Sequence, residues 1–185
     1  DPVLTVKYQS QDLFAGGVLA VANHIADFCK SVDLFTVIGR ADSHEEFIRN
    51  QLRPGVRPHF SYKKDSPTLV KRRFVDGYSF NKLFEVYVMD DTYLPATDDK
   101  KLCKRLQETL SEYDLVIAAD FGHGAISSRM VELLCCHAPF LAVNTQANSG
   151  NRGFHTITRY PRADFASLAS HEIRLEMRDR DNPIR

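Results

Sequence analysis

Three short, largely apolar segments predict strands buried in the interior. They are residues 32–38, 115–119 and 140–143. A strand loses its alternation of polar and apolar residues when neither face meets water. Apolar positions spaced by three or four residues predict amphipathic helices. These helices cover residues 18–32, 98–113 and 127–137, and a Ser43/Glu46 capping box predicts a further helix over 43–53. This order of strands and helices indicates an α/β domain with right-handed crossovers and a mostly parallel sheet.

Residues 65–91 depart from this alternation of strands and helices. Two β-rich stretches lie here, with Asp76-Gly77 between them as a hairpin turn signal. The two predicted strands are residues 68–75 and 79–89. A hairpin inserted into an α/β domain is typical of a lid or a dimerisation flap. The alternative is a solvated edge hairpin whose basic residues protect it from aggregation.

Polar residues follow two of the predicted central strands. Asp120 comes directly after residues 115–119, and the polar loop 144–153 follows the strand at 140–143. Ligands bind outside the carboxyl ends of strands in open α/β sheets. Asp120 is therefore either a hydrogen-bond acceptor for a polar ligand or a residue that only turns the chain or caps the next helix. The loop suits ligand binding, with an ordinary surface loop as the alternative.

Gly16 and Gly17 precede the first predicted helix. Because glycine has no side chain, a pair at a helix entrance lets a ligand approach bare backbone N–H groups. The same pair also occurs in simple turns. The glycines alone therefore do not distinguish a site from a turn.

Composition narrows the class of protein. The 185 residues suffice for one domain with a real core, and 43% hydrophobic with 26% charged residues is typical of a globular protein. Acidic and basic residues balance at 24 each, which gives no indication of nucleic-acid or membrane partners. We find no membrane-spanning run and no signal peptide. Four cysteines without metal-ligand spacing predict reduced core thiols in a cytoplasmic protein.

Four segments, taken in order, resemble the ribokinase-like (PfkB) carbohydrate kinases, especially the heptose-phosphate kinase branch related to ADP-heptose synthesis. They are AGGVLAVANHIA, PTLVKRRFV, DLVIAADFGHG and NTQANSGNRGFHTITRYPRADF. Their order and spacing are more specific than any one segment. The resemblance implies a three-layer α/β/α domain with a small β-hairpin lid, often a dimer contact. It also implies transfer of the γ-phosphate of ATP to a sugar hydroxyl, with Mg²⁺.

The resemblance assigns substrate-binding roles to five residues. Gly16 and Gly17 match the glycine pair that lets the sugar meet the backbone. Asp120 matches an acidic position that contacts sugar hydroxyls. Lys71 and Arg73, on the predicted lid, suit a phosphate on the substrate because ammonium and guanidinium groups both pair with phosphate.

The nucleotide side matches less well. Asn144 lies where the family places residues near the nucleotide phosphates, and Glu172 is the glutamate of an N-x-x-E motif tied to Mg²⁺ and phosphate. Ala169 replaces the asparagine of that motif, and Ala20 stands where the family has a sugar-binding asparagine. The family's first strand and its G-A-G-D segment, with the anion hole and catalytic base, are not found. The chain thus looks like a fragment of a kinase domain, without a catalytic residue of its own and inactive alone.

These observations favour a cytoplasmic sugar kinase that acts on a sugar phosphate such as a heptose phosphate, with the lid as the candidate homodimer contact. The alternative is a non-catalytic sugar- or nucleotide-binding module derived from the kinase fold, for which Ala20 and Ala169 argue. A dinucleotide-dependent oxidoreductase ranks last because no G-x-G-x-x-G follows a strand.

Overall fold

The computed structural model describes Val3, residues 5–148 and residues 150–184. These residues contain seven strands and five α-helices. The strands are β1 (Val32–Ala41), β2 (Val56–Pro67), β3 (Val70–Val75), β4 (Lys82–Val88), β5 (Val116–Asp120), β6 (Leu141–Thr145) and β7 (Phe165–Ala166). The helices are α1 (Val18–Ile25), α2 (Glu45–Gln51), α3 (Ala96–Thr109), α4 (Ser128–His137) and α5 (Ser170–Met177), with 3₁₀ turns at Leu110–Glu112 and Ile157–Arg159.

The parallel strands form two sheets within the described residues. β1 pairs with β2, and β5, β6 and β7 form a three-stranded sheet in that order. Phe35 and Val37 of β1 pack against the core of the larger sheet, so side chains connect the two. This confirms the predicted α/β class with mostly parallel strands, in a three-layer α/β/α arrangement.

The main core lies against β5 and β6. Leu102 and Leu106 of α3 and Leu134 of α4 pack against Leu141 and Val143 of β6. Each such buried side chain contributes about 1.5–3 kcal/mol relative to an exposed one. A smaller core of Ala22, Leu34 and Val56 lies under α1. The larger core is therefore next to β5, the strand that ends at Asp120.

α3 and α4 confirm the predicted amphipathic helices to within a few residues. The predicted helix over 98–113 is observed as α3 followed by the 3₁₀ turn Leu110–Glu112. α4 begins after Ser127, whose Oγ accepts a hydrogen bond of 3.1 Å from the backbone N–H of Met130. This N-cap satisfies one of the N–H groups that the first turn leaves unpaired.

The first two helices are shorter than predicted. α1 ends at Ile25, so Phe28 is 76% exposed rather than buried on a helix face. In its last turn, the side chain of Asn23 donates to the Gln51 carbonyl oxygen and accepts the Arg53 N–H. α2 is capped by His44 in the left-handed conformation, so the predicted Ser43/Glu46 capping box is wrong.

β3 and β4 form an antiparallel hairpin in a sheet of their own, which confirms the predicted hairpin. Its loop extends beyond Asp76-Gly77. Asp76 donates its N–H to the Asn81 carbonyl at 2.9 Å, and its carboxylate accepts the Tyr78 and Ser79 N–H groups. Phe74 and Phe84 stack across the strands with ring centroids 4.5 Å apart.

A buried lysine fixes the base of this hairpin. Lys63 of β2 is 8% exposed, and its Nζ lies 2.8 Å from Asp90 Oδ1 and 2.7 Å from the Thr92 carbonyl oxygen. The Ser66 hydroxyl donates to the other Asp90 oxygen at 2.6 Å. Hydrogen bonds from Lys63 and Ser66 hold the pKa of Asp90 well below its usual range. Because these residues flank the hairpin on both sides, they hold its two ends together.

The four cysteines are free thiols, but only one is buried. Cys103 is buried and Cys135 is half-buried, whereas Cys29 and Cys136 are exposed. The prediction of core thiols is therefore right for Cys103 and wrong for Cys29 and Cys136. The helix that carries Cys29 in the prediction ends before that residue.

Candidate functional site

Asp120 ends β5 and is almost fully buried, with 3% of its surface exposed. Its carboxylate lies 3.0 Å from His155 Nε2, accepts the Tyr160 hydroxyl at 2.9 Å and forms an ion pair with Arg159. It also accepts the Gly122 N–H at 3.2 Å. The carboxylate is therefore saturated by partners from this chain in this conformation.

These partners decide the charge of the group. Burial alone would raise the pKa of Asp120, but the hydrogen bond from His155 and the charges of His155 and Arg159 outweigh it and lower the pKa. Burial and the nearby Asp120 charge raise the pKa of the Tyr160 phenol far above its usual value. Asp120 is thus an anion that receives hydrogen bonds from a neutral phenol and a guanidinium.

Two glycines shape the loop that follows β5. Gly122 and Gly124 have φ angles of 69° and 76°, a region that disfavours side chains. A Cβ on Gly122 would lie 2.1 Å from Asn151 Nδ2, and a Cβ on Gly124 would lie 2.2 Å from the Thr92 carbonyl oxygen. The loop therefore packs against the 144–160 region on one side and against the segment after the hairpin on the other.

The polar loop after β6 packs onto the same place. The side-chain amides of Asn148 and Asn151 both approach the Phe121 carbonyl oxygen, at 3.1 and 3.4 Å. The Gln146 N–H donates to the Asp120 carbonyl oxygen at 3.1 Å. The predicted ligand-binding loop is thus partly used to brace the loop after β5. Ser149, within that predicted loop, lies outside the described residues.

The glycine pair lies close to this site in space, although about a hundred positions of sequence separate it from Asp120. Gly17 caps α1 with a φ of 57°, and a Cβ there would lie 3.7 Å from Phe121 Cε2. Gly16 has open space around it. The start of α1 and the end of β5 therefore face each other, as expected for carboxyl-end loops of a parallel sheet.

The two lid residues have different environments. Arg73 forms an ion pair with Glu85 directly across the hairpin. Lys71 is half-buried over the Tyr87 ring, with Nζ 4.9 Å from the ring centroid. Burial is the main reason that the pKa of Lys71 is lowered. Of the two predicted phosphate ligands, Arg73 forms an ion pair with Glu85, whereas Lys71 only experiences the charge of Glu85.

A polar cavity of about 130 Å³ opens beside Asp120. It is lined by Asp91, Tyr93, Asp120, Ile126, His155 and Arg159, together with the two glycines of the loop. This volume is enough for several water molecules or for part of a polar ligand. In this cavity the β5 end, the segment that follows the hairpin and the 144–160 region border the same space.

The two predicted nucleotide-binding side chains are both bonded to backbone groups. The Asn144 amide donates to the Ser167 carbonyl oxygen at 2.7 Å. The two Glu172 carboxylate oxygens accept the Ala147 and Ala169 N–H groups, each at 2.8 Å. Glu172 therefore caps α5 and holds the loop after β6, and both residues are committed to the backbone.

The sequence-based reasoning missed His155, Arg159 and Tyr160 as partners of Asp120. A weak signal was present, because residues 144–163 contain Arg152, His155, Arg159 and Arg162 and no acidic residue. The charges alone do not identify a partner, since Arg162 pairs with Asp164 just beyond this run.

Metal and membrane features are limited within the described part of the chain. No group of three or more His, Cys, Asp and Glu side chains there is arranged to hold a metal ion. Within the described residues (3, 5–148 and 150–184), no helix is both long enough and apolar enough to cross a bilayer.

Comparison with known proteins gives a consistent set of relatives. The chain is similar to the bifunctional protein HldE of Hydrogenovibrio crunogenus, at 29% identity over 68% of this chain and 25% of that protein. It is 26% identical to HldE of Azotobacter vinelandii over 77% of the chain, and 28% identical to HldE of Shewanella amazonensis over 68%. These matches cover 29% and 25% of the two relatives, so the chain spans about a quarter of their length. No family model matches the chain.

Proposed function

We propose that this chain is the substrate-binding part of a ribokinase-like carbohydrate kinase that uses ATP to phosphorylate a sugar phosphate of the heptose-phosphate class. The observation that carries the proposal is the crevice at the carboxyl end of β5, where Asp120, the Gly17 helix entrance and the hairpin base converge. Similarity to proteins named HldE supports a role in the same group of transferases.

On this proposal the crevice binds the sugar. Gly16 and Gly17 offer backbone N–H groups at the start of α1, and Asp120 contributes the carboxylate that the resemblance assigns to sugar hydroxyls. Since Asp120 is saturated internally, a hydroxyl must replace one of its partners, and the Gly122 N–H at 3.2 Å is the longest of these bonds. Lys71 and Arg73 supply positive charge from the hairpin for the substrate phosphate.

ATP and Mg²⁺ enter this proposal through the resemblance, and ATP would supply the phosphoryl group. The residues that the sequence assigns to them do not fit that role in the described conformation. Asn144 and both oxygens of Glu172 are bonded to backbone groups, which leaves no free carboxylate oxygen there for a cation. We therefore assign no step to these two residues.

Calorimetric titration tests the substrate class. The chain is titrated with a heptose phosphate, the matching unphosphorylated heptose and ATP. We expect the heptose phosphate to bind at least about tenfold more tightly than the heptose, since charge-assisted hydrogen bonds are roughly twice as strong as neutral ones. Equal affinities, or no binding of the phosphate ester, would contradict the proposed substrate.

A second candidate is a sugar-binding module without catalysis. The observation in its favour is that Asp120 and Glu172 are both committed to internal bonds, besides the alanines at positions 20 and 169. Sugar-dependent release of ADP separates the two candidates, measured with this chain and with any longer natural protein that contains it. Binding of the heptose phosphate with no ADP release from either would favour the module.

We also propose that two copies associate through the hairpin. The apolar face of the hairpin is open, with Phe74 and Phe84 exposed by 37% and 41%. Phe84→Glu is expected to shift a dimer to monomer in sedimentation velocity, whereas Phe28→Glu, on an exposed side chain away from the hairpin, is the matched control. A monomeric wild-type chain at all concentrations would rule out this association.

A further inference from the structure

His123 has an unusual environment in the loop after β5. Its Nε2 is buried and has no hydrogen-bond partner among the described residues. Buried polar atoms almost always have a partner, and leaving one without is costly. The described chain therefore provides no hydrogen-bond partner for this nitrogen.

The backbone fixes His123 in this place. It lies between Gly122 and Gly124, which both have positive φ and both pack too closely against neighbours to carry a side chain. Gly122 contacts Asn151 and His155, and Gly124 contacts the carbonyl oxygens of Asp91 and Thr92. A loop held from two sides keeps its central side chain in one position, which is what a binding residue requires.

Lys71 of the hairpin provides positive charge near this imidazole. No hydrogen bond or ion pair holds its ammonium within the part of the chain that the structure describes, and its contact is the face of the Tyr87 ring. Burial lowers the pKa of His123, and the charge of Lys71 is the largest electrostatic contribution in the same direction. His155 also lowers this pKa, whereas Asp91 and Asp120 raise it.

We propose that His123 and Lys71 together bind a phosphate group of the substrate, the imidazole N–H from the loop and the ammonium from the hairpin. This inference rests on the proposed function and deepens it, because it places the substrate phosphate where the hairpin meets the loop after β5. Phosphate oxygens would accept both donors. Asp120 does not oppose such an anion strongly because its carboxylate already forms an ion pair with Arg159.

The proposal also gives the hairpin a part in binding. Nε2 of His123 is shielded from solvent in this conformation, so a phosphate reaches it only when the structure around the loop opens. On this proposal Lys71, which lies on β3, binds the phosphate from the hairpin side.

Titration with inorganic phosphate tests this site separately from the sugar. The signal is the Cε1–H resonance of His123 in a ¹H–¹³C spectrum, assigned by its loss in His123→Gln. We expect phosphate to shift this resonance and to raise the pKa of His123. Both His123→Gln and Lys71→Gln are expected to weaken phosphate binding about tenfold or more, as expected for losing a hydrogen bond to a charged group. His137→Gln at the exposed end of α4 and Arg72→Gln, next to Lys71 but exposed, are the matched controls.

Each outcome decides the inference. A His123 resonance that does not respond at saturating phosphate overturns it, and so does equal weakening in the control variants. If phosphate shifts His123 but no heptose phosphate binds, the anion site stands and the proposed substrate fails. If the heptose phosphate binds equally well to wild type and to both variants, the substrate stands and this assignment of its phosphate fails.

Discussion

Among single residues, Asp120 is the one whose replacement should cost most. Asp120→Asn removes the charge that Arg159 and His155 face, and Arg159 has only 20% of its side chain exposed. Removing one partner of a buried ion pair costs about 3–5 kcal/mol because the other charge stays buried. We expect a loss of this size in urea unfolding at neutral pH. Glu108→Gln, from an exposed pair with Lys104, should cost less than about 0.5 kcal/mol.

The same carboxylate predicts a dependence of stability on pH. Because the pKa of Asp120 is lowered in the folded chain, its stabilisation is fully present above the unfolded value of about 3.9. It is lost as the pH falls through the lower, folded value. The difference in unfolding free energy between wild type and Asp120→Asn should stay constant above about pH 5 and shrink below about pH 4. A difference that grows on acidification would contradict this sign.

Gly124 is expected to be intolerant of any side chain. Gly124→Ala places a Cβ 2.2 Å from the Thr92 carbonyl oxygen at a positive φ, whereas Gly153→Ala has a similar φ of 81° and open space around it. Gly153→Ala, the control, should therefore lose only about 1–2 kcal/mol, the cost of placing a side chain at a positive φ. Thermal unfolding should show a clearly larger loss for Gly124→Ala, and equal losses would mean that the loop moves away from Thr92.

Residue-level chemistry was only partly predictable from the sequence. The position of Asp120 at a strand end follows from the apolar run before it, and the nearness of Gly17 follows from the parallel sheet. That Arg159 and Tyr160 would point back at Asp120 depends on the path of the 144–160 region. No local pattern of charges fixes that path over 39 and 40 positions.

Among the elements, the hairpin should depend on its base rather than on its own contacts. Lys63→Met removes the bonds to Asp90 and Thr92 and leaves the Asp90 carboxylate without its cation. We expect hydrogen exchange to accelerate in β3 and β4 more than in β5 and β6, since an isolated two-stranded hairpin is marginal in water. Lys64→Met, on a side chain that is 82% exposed, is the control. Uniform acceleration in all strands would mean that Lys63 supports the whole fold.

Helices and strands with strong periodicity were the elements that the sequence predicted best. α3, α4 and β5 agree with their patterns because each packs one face or both faces on the main core. α1 ends at Ile25, although the apolar spacing continues to residue 32, and the Asn23 side chain in its last turn bonds to Gln51 and Arg53, a tertiary contact that periodicity does not encode. The same limit explains α2, whose start is set by the left-handed His44.

The whole molecule exposes more surface than a compact protein of its mass. Its accessible area is 12808 Å², whereas a compact monomer of 21.0 kDa exposes about 9,000 Å². Since the urea m-value follows the area buried on folding, we expect an m-value below that of compact proteins of similar length. An ordinary m-value would mean that the chain in solution is more closed, by association or by movement of the hairpin. Sedimentation velocity on the same samples distinguishes these two explanations.

The bond between Asp120 and Tyr160 also sets an order of events during synthesis. The two residues are 40 positions apart, so the carboxylate has no phenol or guanidinium partner until residue 160 has left the ribosome. Closing a loop of that length costs little more entropy than closing one half as long, about 0.6 kcal/mol. The hairpin, whose strands are joined by residues 76–81, can pair much earlier. In a nascent chain halted before residue 159, the hairpin could thus be formed while Asp120 is still solvated and lacks its Arg159 and Tyr160 partners. The crevice would form only when the last third of the chain has been made.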